Sequence, residues 1–153
     1  MYQLDVIDRK LLNLLQINSR STIRELSEQL NLSTTPVYER IRKLEKNGYI
    51  TGYITLIDPR KAGLKLIVYV SVSLQDHTKY AIDAFEAEME KLDEVLEAYY
   101  ISGNADFLLK VMVEDMEAYH RFITHKLSVI PNITQFFSSF VMSASKNKQH
   151  IKL

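Results

Sequence analysis

Residues 21–49 read STIRELSEQLNLSTTPVYERIRKLEKNGY and carry the signals that decide the fold of the first half. Thr22 and Glu25 have the spacing of a capping box, in which each side chain accepts a hydrogen bond from the other residue's backbone. After a short turn comes a second helix start, where Pro36 falls in the first turn and its missing N–H costs little. Gly48 then predicts a left-handed helix end. The stretch therefore predicts two helices joined by a tight turn.

The residues on either side complete a small domain. Asp5 predicts the N-cap of an earlier helix, with Asp8 near the positive end of its dipole. Apolar residues then recur at helical spacing, at Ile7, Leu11, Leu14 and Leu15. Residues 49–56 are β-prone, with a turn at Gly52. Three helices followed by a β element predict a winged helix-turn-helix over residues 1–60.

In this arrangement the third helix enters the major groove of DNA, where its first residues read base edges and its basic half contacts phosphates. The residues expected to contact DNA from this helix and its start are Ser33, Thr34, Thr35, Tyr38, Glu39, Arg42, Lys43 and Lys46. Ser21, Thr22 and Arg24 open the second helix, whose backbone amides can hold a phosphate.

An alternative interpretation of this surface stays open at this point. Basic residues on an exposed helix face usually form only a solvated surface. Glu39 would repel phosphate unless it accepts from a cytosine amino group. Three-helix units also serve purely for contacts between proteins.

The second half, residues 61–153, alternates strand and helix patterns. Residues 66–74 form a β-branched strand, and residues 78–92 carry apolar positions at helical spacing. Two apolar runs, 95–101 and 107–113, flank a turn-rich connection. A second amphipathic helix from Met116 to Ile130 and a last strand, about 134–143, complete the order β-α-β-β-α-β. This order is typical of a ferredoxin-like domain, so the fold class is α+β.

The composition of the whole chain excludes several protein classes. It has 46% hydrophobic and 25% charged residues, zero net charge and no cysteine. Without cysteine there is no disulfide framework. We expect no membrane contact and a cytoplasmic location, because no apolar run approaches about 18 residues and no signal-peptide pattern opens the chain. The four histidines are scattered, so we expect no metal site and no catalytic residues.

Four motifs of the first half, Leu4–Leu12, Ser21–Leu26, Leu32–Glu45 and Gly48–Ile50, closely resemble the Lrp/AsnC family of leucine-responsive, or feast/famine, regulators. The resemblance continues in the second half. Ile101–Phe107 is similar to the family's Gly-x-x-Asp-aromatic motif, and residues 138–142 are similar to the hydroxyl-rich segment of its last strand.

This resemblance implies a regulator whose second domain dimerises through its sheet, assembles to an octamer and binds an amino acid between dimers. The implied effector residues are Ser102, Gly103, Asn104, Ala105, Asp106 and Ser138. A glycine turn can offer N–H groups to an α-carboxylate, and Asp106 can pair with an α-ammonium. Alternatively, Gly103 serves only the turn and Asp106 only caps it. A homodimer is the minimum functional unit, since it pairs two recognition helices.

Two other functions remain open from the sequence. An architectural protein would bind DNA broadly, with steep salt dependence and no response to a ligand. Siroheme decarboxylases resemble the same two-domain architecture, but they need basic residues and histidines gathered around a large pocket. The scattered histidines argue against that enzyme. We therefore expect a non-enzymatic regulator without a cofactor other than an amino-acid effector.

Overall fold

The computed structural model describes residues 2–148 and 150–153. The chain forms two compact units. The first contains the residues up to Leu56 together with Lys146–Leu153, and the second contains Ile57–Ser145. Across the described residues, no helix has the length and apolar character needed to cross a membrane.

The first unit contains the three predicted helices, α1 (Val6–Ile17), α2 (Ile23–Leu30) and α3 (Thr34–Lys46). One apolar stripe from each helix forms a common core, which consists of Leu11, Leu12, Leu15, Leu26, Val37, Ile41 and Leu44. The spacing of these residues follows the helical period, so each helix presents its opposite face to solvent.

The starts of α1 and α2 are set by reciprocal capping boxes. At α1 the backbone N–H of Asp8 donates to the Asp5 carboxylate at 2.7 Å, and the Asp5 N–H donates back to Asp8 at 3.1 Å. At α2 the N–H of Thr22 donates to Glu25 at 2.7 Å, and the Glu25 N–H donates to the Thr22 hydroxyl at 3.2 Å. The predicted caps at Asp5 and Thr22 are therefore confirmed.

The end of α3 follows the predicted left-handed closure. Gly48 has φ 74°, and its N–H donates to the Glu45 carbonyl at 3.0 Å. The Tyr49 N–H donates to the Leu44 carbonyl at 2.9 Å, which completes a Schellman motif. These bonds satisfy carbonyls that would otherwise lack partners at the helix end.

The β element predicted at residues 49–56 is not a strand in this chain. A strand needs a neighbour for its backbone hydrogen bonds, and the described part of the first unit contains no other strand. Without that neighbour the β-prone side chains stay exposed: Tyr53 by 51%, Ile54 by 78% and Leu56 by 65%. Local β-propensity alone therefore misassigned this segment.

The second unit has the predicted β-α-β-β-α-β order. Its strands are β1 (Leu66–Leu74), β2 (Val95–Tyr100), β3 (Phe107–Val113) and β4 (Ile133–Phe140). Its helices are α4 (Lys79–Met89) and α5 (Met116–Phe122), and α5 continues into a π-helical turn (Ile123–Leu127). That turn closes with the Ser128 N–H on the Ile123 carbonyl at 2.9 Å, which the helical pattern did not predict.

The four strands form one antiparallel sheet in the order β2-β3-β1-β4. Val70 in the middle of β1 pairs with Leu109 of β3 on one side and Ser138 of β4 on the other. Every second residue of β1 and β3 is buried, so these strands and helices α4 and α5 enclose the core. The loop between β2 and β3 consequently lies beside the end of β1, where Asp106 donates its N–H to the Val72 carbonyl at 2.9 Å.

The capping geometry at Asp5 predicts a charge-dependent stability of the first unit. The pKa of Asp5 is lowered, first by the backbone N–H of Asp8 and then, against the opposing effect of burial, by the Arg40 guanidinium. A lowered folded-state pKa stabilises the protein above the ordinary carboxyl pKa, and this contribution is lost as pH falls through the lowered value. Asp5→Asn should keep the cap but lose the charge, because asparagine caps as well as aspartate.

We therefore expect Asp5→Asn to melt slightly below the parent at neutral pH, with the difference shrinking as pH falls through the lowered pKa of Asp5. Thermal unfolding followed by circular dichroism across this pH range measures it. Asp93→Asn, which changes an exposed carboxylate elsewhere, is the matched control. An equal melting difference at all pH values would show that the Asp5 charge has no such role.

Candidate nucleic-acid interface and effector loop

The outer face of α3 points away from the core of the first unit. Tyr38 is 52% exposed, and Thr35, Glu39, Arg42, Lys43 and Lys46 are exposed with it. Of the residues predicted to contact DNA, only Ser21 is half-buried, and the rest are exposed: Thr22, Arg24, Ser33, Thr34, Thr35, Tyr38, Glu39, Arg42, Lys43 and Lys46. Among the described residues, the Arg42 guanidinium makes only a long 4.0 Å contact with the Glu45 carboxylate, so it is available to a phosphate.

The hydroxyl-rich start of α3 is open. Ser33 occupies the N-cap position, but its side chain makes no capping hydrogen bond. Its hydroxyl and the first amides of α3 can therefore meet a nucleic acid without first breaking a cap.

The start of α2 is more fully occupied. The Glu25 carboxylate accepts the Thr22 N–H, and this backbone bond is the first cause of its lowered pKa. A phosphate approaching here would meet that negative charge. Arg24 pairs with Glu28 at 3.0 Å, yet its side chain is 84% exposed, so it can turn toward a phosphate at little cost.

A buried polar network ties α3 to the start of α1. The Asp8 side chain is 1% exposed and accepts the Arg40 guanidinium at 2.6 Å, the Tyr2 hydroxyl at 2.8 Å and the Asp5 N–H at 3.1 Å. The same Arg40 nitrogen lies 2.6 Å from Asp5. Because a buried charge must be paired, Arg40 fixes where α3 sits on α1.

Sequence reasoning missed this role of Arg40. Its position, three residues after Val37 and four before Leu44, places it beside the buried stripe of α3 and was the available signal. The pairing itself joins residues 32 positions apart, which a local pattern does not show.

The predicted effector residues 102–106 lie together in the loop between β2 and β3. Ser102, Gly103 and Asn104 are exposed, while Ala105 is 8% exposed and anchors the loop in the protein. Gly103 has φ 141°, a conformation that side-chain-bearing residues rarely adopt. The exposed backbone at 102–104 is thus held in a shape that depends on glycine.

The Asp106 carboxylate is already paired inside the protein. One oxygen accepts the Leu74 N–H at 2.7 Å, and the other lies 3.0 Å from His77 Nε2. The side chain is only 19% exposed, so a ligand ammonium would have to share it with these two groups. Its observed contacts fasten the loop to the end of β1.

Ser138 is not brought to this loop within one chain. It lies in β4 opposite Val70, and β1 separates β4 from β3. Ser138 therefore lies two strand spacings, about 10 Å, from β3 and the loop that precedes it. Its hydroxyl lies 2.5 Å from that of Tyr119, whose pKa is raised, chiefly by burial.

Two further residues at this end of the sheet were missed. His77 was counted among scattered histidines, yet it pairs with Asp106. Asn132, with φ 75°, donates from Nδ2 to the Asp76 carbonyl at 2.9 Å and accepts the Asp76 N–H at 2.8 Å. Local sequence signals predicted neither contact, because the partners lie in other loops.

Comparison with known proteins agrees with this geometry. Residues 4–51 match a winged helix-turn-helix DNA-binding family model, and residues 67–151 match the Lrp/AsnC ligand binding domain. The leucine-responsive regulatory protein of Escherichia coli K12 is 36% identical over 148 residues, which cover 97% of this chain and 90% of that protein. A proline dehydrogenase transcriptional activator of Rhodobacter capsulatus is 38% identical over 141 residues, 92% of each chain.

Solved structures give the same result. A transcriptional regulator from Neisseria meningitidis in complex with L-Met has a TM-score of 0.92 and 34% identity, over 97% of this chain and 96% of that one. AsnC of Escherichia coli has a TM-score of 0.91 and 29% identity, over 99% and 100%. The resemblance and the fold class predicted from sequence are both confirmed: the chain belongs to the Lrp/AsnC family of transcriptional regulators.

Proposed function

We propose that this chain regulates transcription by placing α3 in the major groove of specific DNA sites. The observation that carries the proposal is the exposed hydroxyl and basic face of α3 on a helix locked to α1 through Arg40 and Asp8. Thr34 and Thr35 would read base edges, while Arg42, Lys43 and Lys46 would hold phosphates. Ser21, Thr22 and Arg24 would contribute at the start of α2.

The acting unit in this proposal is at least a homodimer, which assembles further to an octamer. Lone winged domains read short half-sites, and two-fold pairing supplies two recognition helices. The sheet face opposite α4 and α5 supports pairing, because it leaves Tyr69 36% and Phe137 63% exposed. An apolar face of this kind is typical of an interface.

The effector in this proposal is an amino acid bound between dimers. The match of residues 67–151 to a ligand-binding model supports it, as does the L-Met complex of the Neisseria relative. Within one chain the loop 102–106 joins β2 and β3, whereas Ser138 lies in β4, on the far side of β1. A site that uses both would therefore draw them from different chains, in keeping with a position between protomers.

The effector would act only through different affinities for alternative assemblies, which would space the recognition helices differently along DNA. A regulator of this kind works on chromosomal DNA in the cytoplasm and is not an enzyme. The assignment as a regulator and not an enzyme is supported by the relatives compared above, which are transcriptional regulators.

The direct test is a fluorescence titration of the protein with random duplexes and with duplexes selected from a random pool. It is run at two salt concentrations, with and without a mixture of amino acids. We expect strong preference for a partly palindromic site and a change on adding the mixture. Equal affinity for all duplexes would favour an architectural protein, and absence of binding would contradict the proposal.

The basic face of α3 predicts a specific change in salt dependence. Arg42→Ala and Lys43→Ala should each weaken binding to selected and random DNA alike and reduce the salt slope by about one for each recognition helix, or about two for a dimer. Anisotropy titrations over a series of salt concentrations measure both quantities. Lys79→Ala, an exposed lysine of the other unit, is the control and should change neither. An unchanged slope in both α3 variants would contradict phosphate contact by this face.

The buried network predicts that Arg40 acts by positioning α3. Arg40→Met should leave the buried Asp8 carboxylate without its cation and destabilise the first unit by about 3–5 kcal/mol. DNA affinity should fall with stability, and adding Asp8→Asn should recover part of both. Thermal unfolding and anisotropy measure the two effects.

Arg42→Met, at an exposed position of the same helix, is the control for the Arg40 variant and should leave the melting temperature unchanged. If Arg40→Met lost DNA affinity with its melting temperature intact, Arg40 would be a DNA contact and not a positioning residue.

The loop conformation predicts a selective loss of the effector response. Gly103→Ala introduces a side chain at φ 141°, which should strain the loop and weaken amino-acid binding, while DNA affinity without amino acid stays unchanged. Calorimetry with single amino acids measures the binding. Gly63→Ala, at φ 93° in the same unit and equally open space, controls for backbone strain. Equal losses in both variants would contradict a site at the loop.

A further inference from the structure

The C-terminal residues of the chain lie against the outer side of α1. Asn13 Nδ2 donates to the Leu153 carbonyl at 3.2 Å, and the Leu153 N–H donates back to Asn13 Oδ1 at 3.3 Å. One helical turn further, Gln16 Nε2 donates to the Ile151 carbonyl at 3.0 Å, and the Ile151 N–H donates to Gln16 Oε1 at 2.9 Å. Two side-chain amides thus hold two backbone positions by four hydrogen bonds.

The chemistry of this contact suits an extended peptide. Side chains three residues apart lie on one face of a helix, and alternate residues of an extended chain point their backbone groups in one direction. A side-chain amide has an NH2 donor and a separate oxygen acceptor, so Asn13 and Gln16 each pair with both the N–H and the carbonyl of one residue. Lys152, between the two bound residues, is exposed.

Gln16 also lines an apolar cavity of the first unit, about 800 Å³ in volume. Leu12 and Leu15 of α1 and residues 49–56 line it together with Ile151 and Leu153. Leu153 is 36% exposed and Ile151 69%. The tail therefore adds two apolar side chains to one wall of this cavity, and its backbone carries most of the recognition.

We propose that this face of α1 is a docking site for an extended peptide and that its occupant is the chain's own C-terminus, Ile151–Leu153. The chain leaves β4 at Phe140 and rejoins the first unit at Lys146. The segment from residue 141 to 153, called the strap below, is thus a second covalent connection between the two units, besides the chain that follows Leu56.

The role of the strap in DNA binding rests on the function proposed above. Two connections leave the DNA-binding unit less orientational freedom than one, which favours simultaneous engagement of two half-sites. A single half-site needs no such restraint.

Hydrogen–deuterium exchange of the C-terminal peptide tests the docking in the full protein. In the parent, the amides of Ile151 and Leu153 should exchange about tenfold more slowly than in Asn13→Ala/Gln16→Ala, which removes the acceptors of both N–H groups and favours the helix. Asn13→Asp/Gln16→Glu keeps an acceptor but places a negative charge against the Ile151 and Leu153 carbonyls, so it should also release the tail. Gln29→Glu, the same change at an exposed position of α2, should leave the exchange slow. Equal exchange in the parent and both double variants would overturn the docking.

DNA titration tests the consequence. Deletion of residues 151–153, or either double variant, should weaken binding to a duplex with two half-sites by roughly tenfold and leave a single half-site unaffected. Equal weakening on both duplexes, or none on either, would overturn the role of the strap in DNA binding. If the parent protected its tail but showed no sequence preference, the docking would stand and the proposed function would fail.

Discussion

The Asp8 carboxylate lies buried at the start of α1. The geometry of the DNA-binding unit depends on the groups that compensate its negative charge. A buried charge is tolerated only with a partner of opposite charge and with its remaining acceptors satisfied. Arg40 supplies the charge from α3, while Tyr2 and the Asp5 backbone supply the other donors. Since these donors converge only when α3 lies in one place on α1, the network selects that placement from the many that an apolar stripe alone would permit.

The second unit uses the same principle at its loop. Asp106 is largely buried and satisfied by the Leu74 N–H and by His77, so the loop between β2 and β3 is held to the end of β1. The neighbouring Ser102 and Asn104 remain exposed on that support. In both units a carboxylate inside the protein supports a neighbouring set of exposed residues.

Some strand-forming and apolar surfaces of the chain stay unpaired because a single copy offers them no partner. Residues 49–56 have strand-forming side chains but no neighbouring strand, and the sheet face keeps Tyr69 and Phe137 exposed. The C-terminus, by contrast, finds its partners within the chain, because Asn13 and Gln16 offer amides that match a peptide backbone. Backbone groups are thus paired where a partner exists, and the apolar surface without one is available for assembly.

The sequence by itself determined the three helices of the first unit, the β-α-β-β-α-β order of the second, the caps at Asp5 and Thr22 and the family, but not the absence of a strand at residues 49–56. Capping boxes, the left-handed glycine and alternating burial are local signals, and each involves residues within a few positions of one another. The tertiary structure alone decided that Arg40 faces inward, that His77 meets Asp106 and that the tail lies on α1. Those contacts join residues 29 to 140 positions apart, and the pairing of distant polar groups leaves no periodic trace in a single sequence.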